Sequence, residues 1–458
     1  GILVLLPSLG VRWLGRLVFK QRFTSARYLA TLLSWLHPAD GWGKQPKILY
    51  ALELGQQGNF TAAEQLLHQY EARNDALGRF ATIQLHRMSN QWEALRDWFE
   101  KDLNRFVSQY DGANLTLYLR ALGETGNPNK LIQAYDQFQP AIRANPSAAA
   151  LSRLFVLAFS GQVDDVHKLM QGPLANLAEA TQQLWVGTAH LTAGQQDEGQ
   201  QQLDEITNHP DRLVQVAIER RQHYQLPVAD TILTTDSHQR LNQLRVELEQ
   251  EAKFGAPSRA KRRSAYATYS LIGLNLFAFG SAITMGGSED PYTLYLLGAL
   301  FPSLSLADSW WRLITYMFLH FGWLHLVLNM LALYILGPFV ELSLAIRKYF
   351  LIYFSCGVGA GLTVIMINWL QPEPQFLVGA SGSIMGLIGA TGAILWRGWW
   401  QEKSAVASRR LIFIVLIIIL QVITDLLIPQ ISMTAHLSGL IIGFGLALLL
   451  YQPNHKAA

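Results

Sequence analysis

The spacing of charged residues divides the chain into two parts. Residues 47–263 carry a charged side chain every few positions, whereas long stretches after Ser264 carry none. A membrane-spanning helix needs roughly 20 apolar residues, so the second part predicts a polytopic membrane domain. Its charge-free stretches are 264–288, 313–340, 349–372, 374–396, 411–424 and 426–451.

These stretches predict six membrane spans. Prolines interrupt a further apolar segment, 291–307, which is interpreted as a lumenal loop that lies on the outer leaflet or dips into it. A crossing there would divide the Lys- and Arg-rich loops between the two sides, although such loops are normally retained in the cytosol. The predicted spans are about 266–286, 313–338, 349–370, 380–397, 410–428 and 435–451.

Positive charge orients these spans. Under the count of six, the basic loops share one side of the membrane, and the opposite loops carry acidic charge apart from Arg312. The part before the first span is therefore expected in the cytosol. With a bacterial host assumed, the protein is expected in the cell inner membrane as a multi-pass protein. The basic loops are 258–263, 347–348 and 397–410.

A recurring pattern of helices and turns fills the segment before the spans. Predicted turns at Gly58, Asn90, Gly126, Gly161 and Gly194 follow one another at intervals of 32, 36, 35 and 33 residues. Helix-turn-helix units with a period near 34 residues resemble tetratricopeptide repeats. Such units must stack to bury their apolar faces. Two interpretations stay open: a groove that binds a peptide or protein partner, and a purely structural solenoid.

The predicted fold class is therefore all-α, with a six-helix membrane bundle preceded by a cytosolic, tetratricopeptide-like solenoid. Residues 1–46 form an apolar and basic segment that could be the remnant of an extra membrane helix. Residues 47–255 form the repeat domain, and residues 256–458 form the membrane domain.

Composition limits the classes of function. The net charge of +3 comes largely from basic clusters beside apolar segments, so it requires no nucleic-acid partner. The single cysteine, Cys356, excludes an intrachain disulfide framework. We expect no metal and no organic cofactor, because the sequence contains no cluster of metal ligands.

Polar side chains inside predicted spans are the candidates for chemistry, because burying them in a membrane is costly. Ser381 begins the fourth span and His436 begins the sixth. One span separates these two, so both residues are expected at a similar depth. A serine hydroxyl needs a base within hydrogen-bond reach to become a nucleophile. Gly439 and Gly443 share a helix face with His436 and would allow close approach to the fourth span.

Acyl transfer also requires donors for an oxyanion. His325 and Asn329 stand four residues apart on the second span, and the Ser381 amide at a helix start can add a third donor. A lone histidine in a membrane is more often structural, but all four residues together favour a hydrolytic site.

The membrane part carries four motifs in this order: Trp311-Arg312, His320-Phe321-Gly322-Trp323-Leu324-His325-Leu326-Val327-Leu328-Asn329, Gly379-Ala380-Ser381-Gly382 and Ala435-His436-Leu437-Ser438-Gly439. Together they resemble the signature of rhomboid intramembrane serine proteases over residues 266–451. The resemblance implies a Ser381–His436 dyad whose oxyanion hole consists of His325, Asn329 and the Ser381 amide. It implies structural or supporting roles for Trp311, Arg312, His320, Glu341, Gly379, Gly382, Gly439 and Gly443.

The sequence departs from the rhomboid pattern at two positions. Met385 stands where some members carry an aromatic residue that supports the histidine, and Ala345 replaces a common glycine. Two further polar residues are interpreted as bystanders. Ser383 should point to another helix face than Ser381, and Asp425, close to Pro429, is interpreted as a solvated residue at a helix end.

The expected function is that of an intramembrane serine endopeptidase that cleaves transmembrane segments of other proteins. Its expected partners are these substrates, the lipid bilayer and a protein at the repeat domain, with the active site open to the extracytoplasmic side. One alternative is a non-catalytic, rhomboid-like protein that binds membrane helices. Another is that the repeat domain, as an adaptor, is the main actor.

Overall fold

A computed structural model of the chain is all-helical. It describes residues 10, 13–18, 20–36, 42–71, 75–101, 103, 112–257, 262–301, 306–370, 376–428 and 432–452. Within these ranges the regular elements are helices, and two extended segments meet in one antiparallel bridge between Leu300 and Leu377. The predicted all-α class is confirmed.

Some of the predicted features lie outside the described residues. They are the apolar start at 1–9, most of the basic loop 258–263, the loop 371–375, Pro302 and Pro429. The chain forms two compact units, Gly1–Arg245 and Val246–Ala458. The predicted domain boundaries at 46/47 and 255/256 stay predictions.

Short helices that follow one another along the chain build the first unit. Its helices are α1 (Phe23–Leu36), α2 (Gln45–Gln56), α3 (Phe60–Glu71), α4 (Ala76–Met88), α5 (Trp92–Lys101), α6 (Gly112–Glu124), α7 (Pro128–Arg143), α8 (Pro146–Phe159), α9 (Val163–Gln171), α10 (Glu179–Thr192), α11 (Gln196–Asp204), α12 (Arg212–His223), α13 (Ala229–Ile232) and α14 (Thr235–Phe254), in which the boundary between the units falls.

The five predicted turns share one backbone geometry. The four glycine markers have φ between 69° and 83°, and Asn90 has φ 56°, so all five residues are left-handed. In each turn the next residue donates its N–H to the carbonyl five positions earlier, as Asn59 does to Leu54 at 2.9 Å. This bond closes a Schellman motif, in which glycine avoids the steric penalty of a Cβ. The unit thus contains repeated helical hairpins, and their assignment to tetratricopeptide repeats stays a prediction.

Helix α12 lies against the first helices of three hairpins. Asp211, the residue that caps α12, accepts a hydrogen bond from Gln56 of α2 at 2.6 Å. Arg221 of α12 donates to Glu124 of α6 at 2.5 Å and to Thr188 of α10 at 2.9 Å. The side chains of Arg221 and Glu124 are each 1% exposed. Charged contacts in the interior therefore tie α12 to these hairpins.

The Glu124 carboxylate is the acidic centre of this cluster. Burial by itself would raise its pKa, but the guanidinium groups of Arg221, Arg120 and Arg220 outweigh burial and lower the pKa to about 2. The carboxylate is consequently charged at neutral pH, as a group that pairs with buried arginines must be.

The second unit contains the long apolar helices. Besides part of α14, its helices are α15 (Tyr266–Met285), α16 (Pro291–Leu297), α17 (Leu306–Ser309), α18 (Arg312–Thr315), α19 (Gly322–Leu344), α20 (Ile346–Leu370), α21 (Ser381–Glu402), α22 (Ala405–Leu427) and α23 (Met433–Leu450). By length and composition, α15, α19, α20, α22 and α23 are able to cross a membrane.

Helix α21, which corresponds to the predicted fourth span, differs from these five. Its 22 residues cover about 33 Å at 1.5 Å per residue, which is long enough for a bilayer, yet its glycines, serines and Arg397 make it less apolar. Most of its residues are buried among the other helices. A helix shielded in this way needs little apolar surface of its own.

The second span begins later than predicted. Residues Arg312–Thr315 and Tyr316–Phe318 form a short α-helix and a 3₁₀ turn, and α19 begins only at Gly322 and runs to Leu344. This helix is therefore offset from the predicted span 313–338 at both ends. Gly322 has φ 79°, a conformation that separates the two elements, whereas Pro338 is accommodated within α19.

Candidate active site

Glycine faces press α21 and α23 together. A Cβ atom added to Gly439 would collide with the carbonyl oxygen of Gly382, and one added to Gly443 would collide with that of Gly386. The two glycines of each pair are the same number of residues apart along the chain, so the two helices run parallel in a fixed register. Small residues four positions apart allow this close approach. The starts of α21 and α23, which carry Ser381 and His436, consequently lie at the same level.

Ser381 is the first residue of α21, directly after a turn that contains Gly379. Gly379 has φ 126°, and its N–H donates to the carbonyl of Tyr316 at 2.9 Å. A Cβ at Gly379 would lie 2.8 Å from Cε1 and 2.9 Å from Nε2 of His325, and 3.7 Å from Ser381 Oγ. The His325 ring therefore packs directly on the turn that presents the hydroxyl, in a space that only glycine leaves open.

The tautomer of His325 follows from its neighbours. The N–H of Phe321 donates to His325 Nδ1 at 3.4 Å, so a neutral ring carries its proton on Nε2, the atom that lies beside Gly379. Asn329 donates one amide hydrogen to the His325 carbonyl at 2.9 Å, which leaves its second amide hydrogen. Both predicted oxyanion donors thus belong to one turn of α19.

His436 lies in the first turn of α23 and is buried. Its Nδ1 lies 2.8 Å from Oδ2 of Asp425, and Oδ1 of Asp425 accepts from the Gln421 amide at 2.7 Å. Among the described residues, no hydrogen bond joins the Ser381 hydroxyl to the His436 ring. Such bonds often form only when a substrate is bound.

Asp425 corrects the interpretation made from the sequence. It is not a solvated residue at a helix end, because its side chain is only 1% exposed and pairs with His436. The residue lies on the inward face of α22, one helical turn after Gln421, which holds its second oxygen. One signal was present in the sequence: Asp425 is the one charged residue in the stretch 411–451.

Arg312 organises the loop beside the site. Its guanidinium donates to the carbonyls of Tyr295 at 2.7 Å and Ala299 at 2.9 Å, and it lies between the rings of Tyr295 and Trp311. Leu300, next to Ala299, pairs with Leu377 through two backbone hydrogen bonds. Arg312 therefore supports the segment that leads into the Gly379 turn.

Tyr316 is a supporting residue that the sequence reasoning missed. Its hydroxyl donates to the Gly357 carbonyl of α20 at 2.6 Å, and its own carbonyl holds Gly379. Ser383 is buried beside Gly357 rather than beside His325. No sequence signal separates Tyr316 from the many other aromatic residues in this part of the chain.

The other predicted structural residues lie around this centre. His320 is buried with its ring centroid 5.0 Å from that of His325. Glu341 lies at the opposite end of α19, where it accepts hydrogen bonds from the backbone N–H groups of Ala267 and Thr268 and so caps the start of α15. In the described part of the chain, no group of three or more His, Cys, Asp or Glu side chains is arranged to hold a metal ion.

Comparison with known proteins points to one family. A family model described as the Rhomboid domain matches residues 307–453. The Rhomboid protease GluP of Bacillus subtilis is 32% identical over 190 residues, which cover 42% of this chain and 36% of that protein. The Putative rhomboid protease YdcA of Bacillus subtilis is 32% identical over 171 residues, which cover 37% of this chain and 78% of that protein. The Rhomboid protease AarA of Providencia stuartii is 30% identical over 229 residues, which cover 45% of this chain and 81% of that protein.

Proposed function

This chain belongs to the rhomboid family, and on that premise we propose that it is an intramembrane serine endopeptidase with Ser381 as nucleophile and His436 as general base. The observation that carries the proposal is the parallel glycine packing of α21 and α23, which brings the starts of both helices to one level. A hydroxyl and an imidazole on two helices can act together only under that condition.

The proposed reaction follows from the surroundings of Ser381. His436 takes the hydroxyl proton through Nε2 while Ser381 Oγ attacks the carbonyl carbon of the substrate. The developing oxyanion is stabilised by the Ser381 amide at the start of α21, by Nε2–H of His325 and by the amide of Asn329. His436 then protonates the leaving amine, and a water molecule, activated by the same ring, releases the acyl group.

The proposed substrates are transmembrane segments of other proteins. A peptide bond inside a helix is not open to attack, so the segment must unwind before it reaches Ser381. We place its entry beside α21 and α22, because the buried residues of α22 are few: Ala407, Ile414 and Asp425. The outer face of α22 exposes large apolar residues such as Leu416 and Leu420, as expected for contact with lipid.

The proposed location is the cell membrane, with the site open to the extracytoplasmic side. The first unit, Gly1–Arg245, which contains the repeated helical hairpins and is called the repeat unit below, lies in the cytosol in this proposal. The basic loops that flank the spans support this orientation. A role of the repeat unit in recruiting a partner or substrate belongs to the same proposal. It would use the outer surface of the unit, since α12 covers the face formed by the first helices. The rival function is a non-catalytic rhomboid-like protein that binds membrane helices.

The test compares Ser381→Ala with Ser383→Ala in the full chain, reconstituted in vesicles with a single-span model substrate. We expect S381A to abolish both cleavage and labelling by a fluorophosphonate, and S383A to retain both, because Ser383 faces α20. Cleavage that persists in S381A would refute the proposal. Absence of cleavage and labelling in the parent chain would favour the non-catalytic rival.

A further inference from the structure

A buried carboxylate contacts the base of the site. Asp425 lies in the last turn of α22, with a side chain that is 1% exposed, and its Oδ2 is 2.8 Å from Nδ1 of His436. The second oxygen accepts from Gln421 at 2.7 Å. Both oxygens are thus engaged, one by the ring and one by an amide on the same helix.

This burial is costly and requires a compensating role. An ionised carboxylate in an apolar environment is destabilising unless it is paired and hydrogen-bonded. In the described residues, the ion pairs of Asp425 include no lysine or arginine, and its one chargeable partner is His436. The carboxylate is therefore stabilised most when the imidazole is positively charged, which is the state that exists while the ring holds the Ser381 proton.

We propose that Asp425 is a positioning residue that converts the Ser381–His436 dyad into a Ser–His–Asp triad. The inference rests on the proposed function. The carboxylate accepts the Nδ1–H of His436, so the lone pair of the neutral ring is on Nε2, the nitrogen that faces away from α22. During attack the Ser381 proton moves to Nε2, Nδ1 keeps its own proton, and Asp425 stays ionised beside the imidazolium.

Gln421 has a separate part in this arrangement. Its amide nitrogen lies 3.4 Å from His436 Nδ1 but 2.7 Å from Asp425 Oδ1. A ring nitrogen that already donates its proton to Asp425 cannot accept another hydrogen, so the amide serves the carboxylate. Gln421 thereby holds the second oxygen of the carboxylate.

Asp425→Asn tests the triad, and Asp308→Asn, an exposed residue outside the site, is the matched control. In the reconstituted full chain, we expect D425N to lower kcat by about a hundred- to ten-thousand-fold with KM nearly unchanged. D308N should match the parent chain in both.

A second measurement keeps the proposal testable if D425N fails to fold. The ¹⁵N shifts of the His436 ring in the otherwise intact S381A chain report which nitrogen carries the proton of the neutral form. The proposal requires Nδ1, and protonation on Nε2 overturns it. If the parent chain cleaves its substrate through Ser381 but D425N keeps the parent kcat, the triad fails while the protease function stands. If the parent chain neither cleaves nor labels, the protease function itself fails.

Discussion

Replacing Gly443 by alanine tests whether glycine packing holds the site together. The added Cβ would meet the backbone of Gly386, with its carbonyl carbon at 2.5 Å and its Cα at 2.6 Å. Carbon atoms rest about 3.5–4.0 Å apart, so α23 must move from α21 by about 1 Å. Backbone cannot rotate away as a flexible side chain can, and overpacking of this kind costs about 1–3 kcal/mol.

Gly445 supplies the matched control on the same helix. Nothing lies within 4 Å of a Cβ added there, so Gly445→Ala gains the helix propensity of alanine without a collision. Both variants gain this helix propensity, so the difference between their free energies of unfolding reports the cost of the collision alone. In detergent micelles, we expect the free energy of unfolding of G443A to be about 1–3 kcal/mol lower than that of G445A.

The same displacement should weaken the chemistry. Gly443 lies seven residues from His436, so a shift of α23 moves the base relative to Ser381, and a misplacement of about 1 Å costs up to about a hundredfold in rate. Fluorophosphonate labelling of the full chain should therefore slow in G443A and stay unchanged in G445A. Equal unfolding free energies and equal labelling rates in the two variants would refute the packing argument.

Three further predictions concern the turn before Ser381 and the interior of the repeat unit. Gly379→Ala should abolish labelling, because its φ of 126° is unfavourable for alanine and its Cβ would press on His325 at 2.8 Å; labelling at the parent rate would contradict this. Glu124→Gln should destabilise the repeat unit by about 3–5 kcal/mol, since it leaves Arg221 buried without a charged partner. The exposed Glu198→Gln is its control in thermal unfolding. Because the pKa of Glu124 is lowered from 4.5 to about 2, its carboxylate contributes stability that is fully present above pH 4.5 and is lost as the pH falls from 4.5 to 2. A parent chain whose free energy of unfolding stays constant over that range would exclude this contribution.

Much of the architecture follows from local sequence signals. Charge-free stretches indicated the long helices of the second unit. In the first unit, four glycines marked turns that need a left-handed residue: Gly58, Gly126, Gly161 and Gly194. Both signals depend on local chemistry, so they can be read without knowing the fold. The start of α19 was placed too early, because residues 313–321 are as apolar as the helix that follows them.

The site was only partly accessible to such reasoning. Ser381 and His436 stood out because polar groups are rare in apolar spans. Asp425 was misinterpreted, because a charged residue near a proline at the end of an apolar stretch has the same local pattern whether it faces water or the bundle. The direction in which its side chain points depends on the rotation of α22 about its axis, which is a property of tertiary packing.

Helix α12 has a consequence for any ligand of the repeat unit. It is covalently tethered, so it competes for the face formed by α2, α6 and α10 as though it were a ligand at about millimolar concentration. A free peptide at micromolar concentration would need an affinity about a thousandfold higher to displace it. The repeat unit thus carries its own competitor for that face, so any partner present at an ordinary cellular level would have to bind elsewhere on its surface.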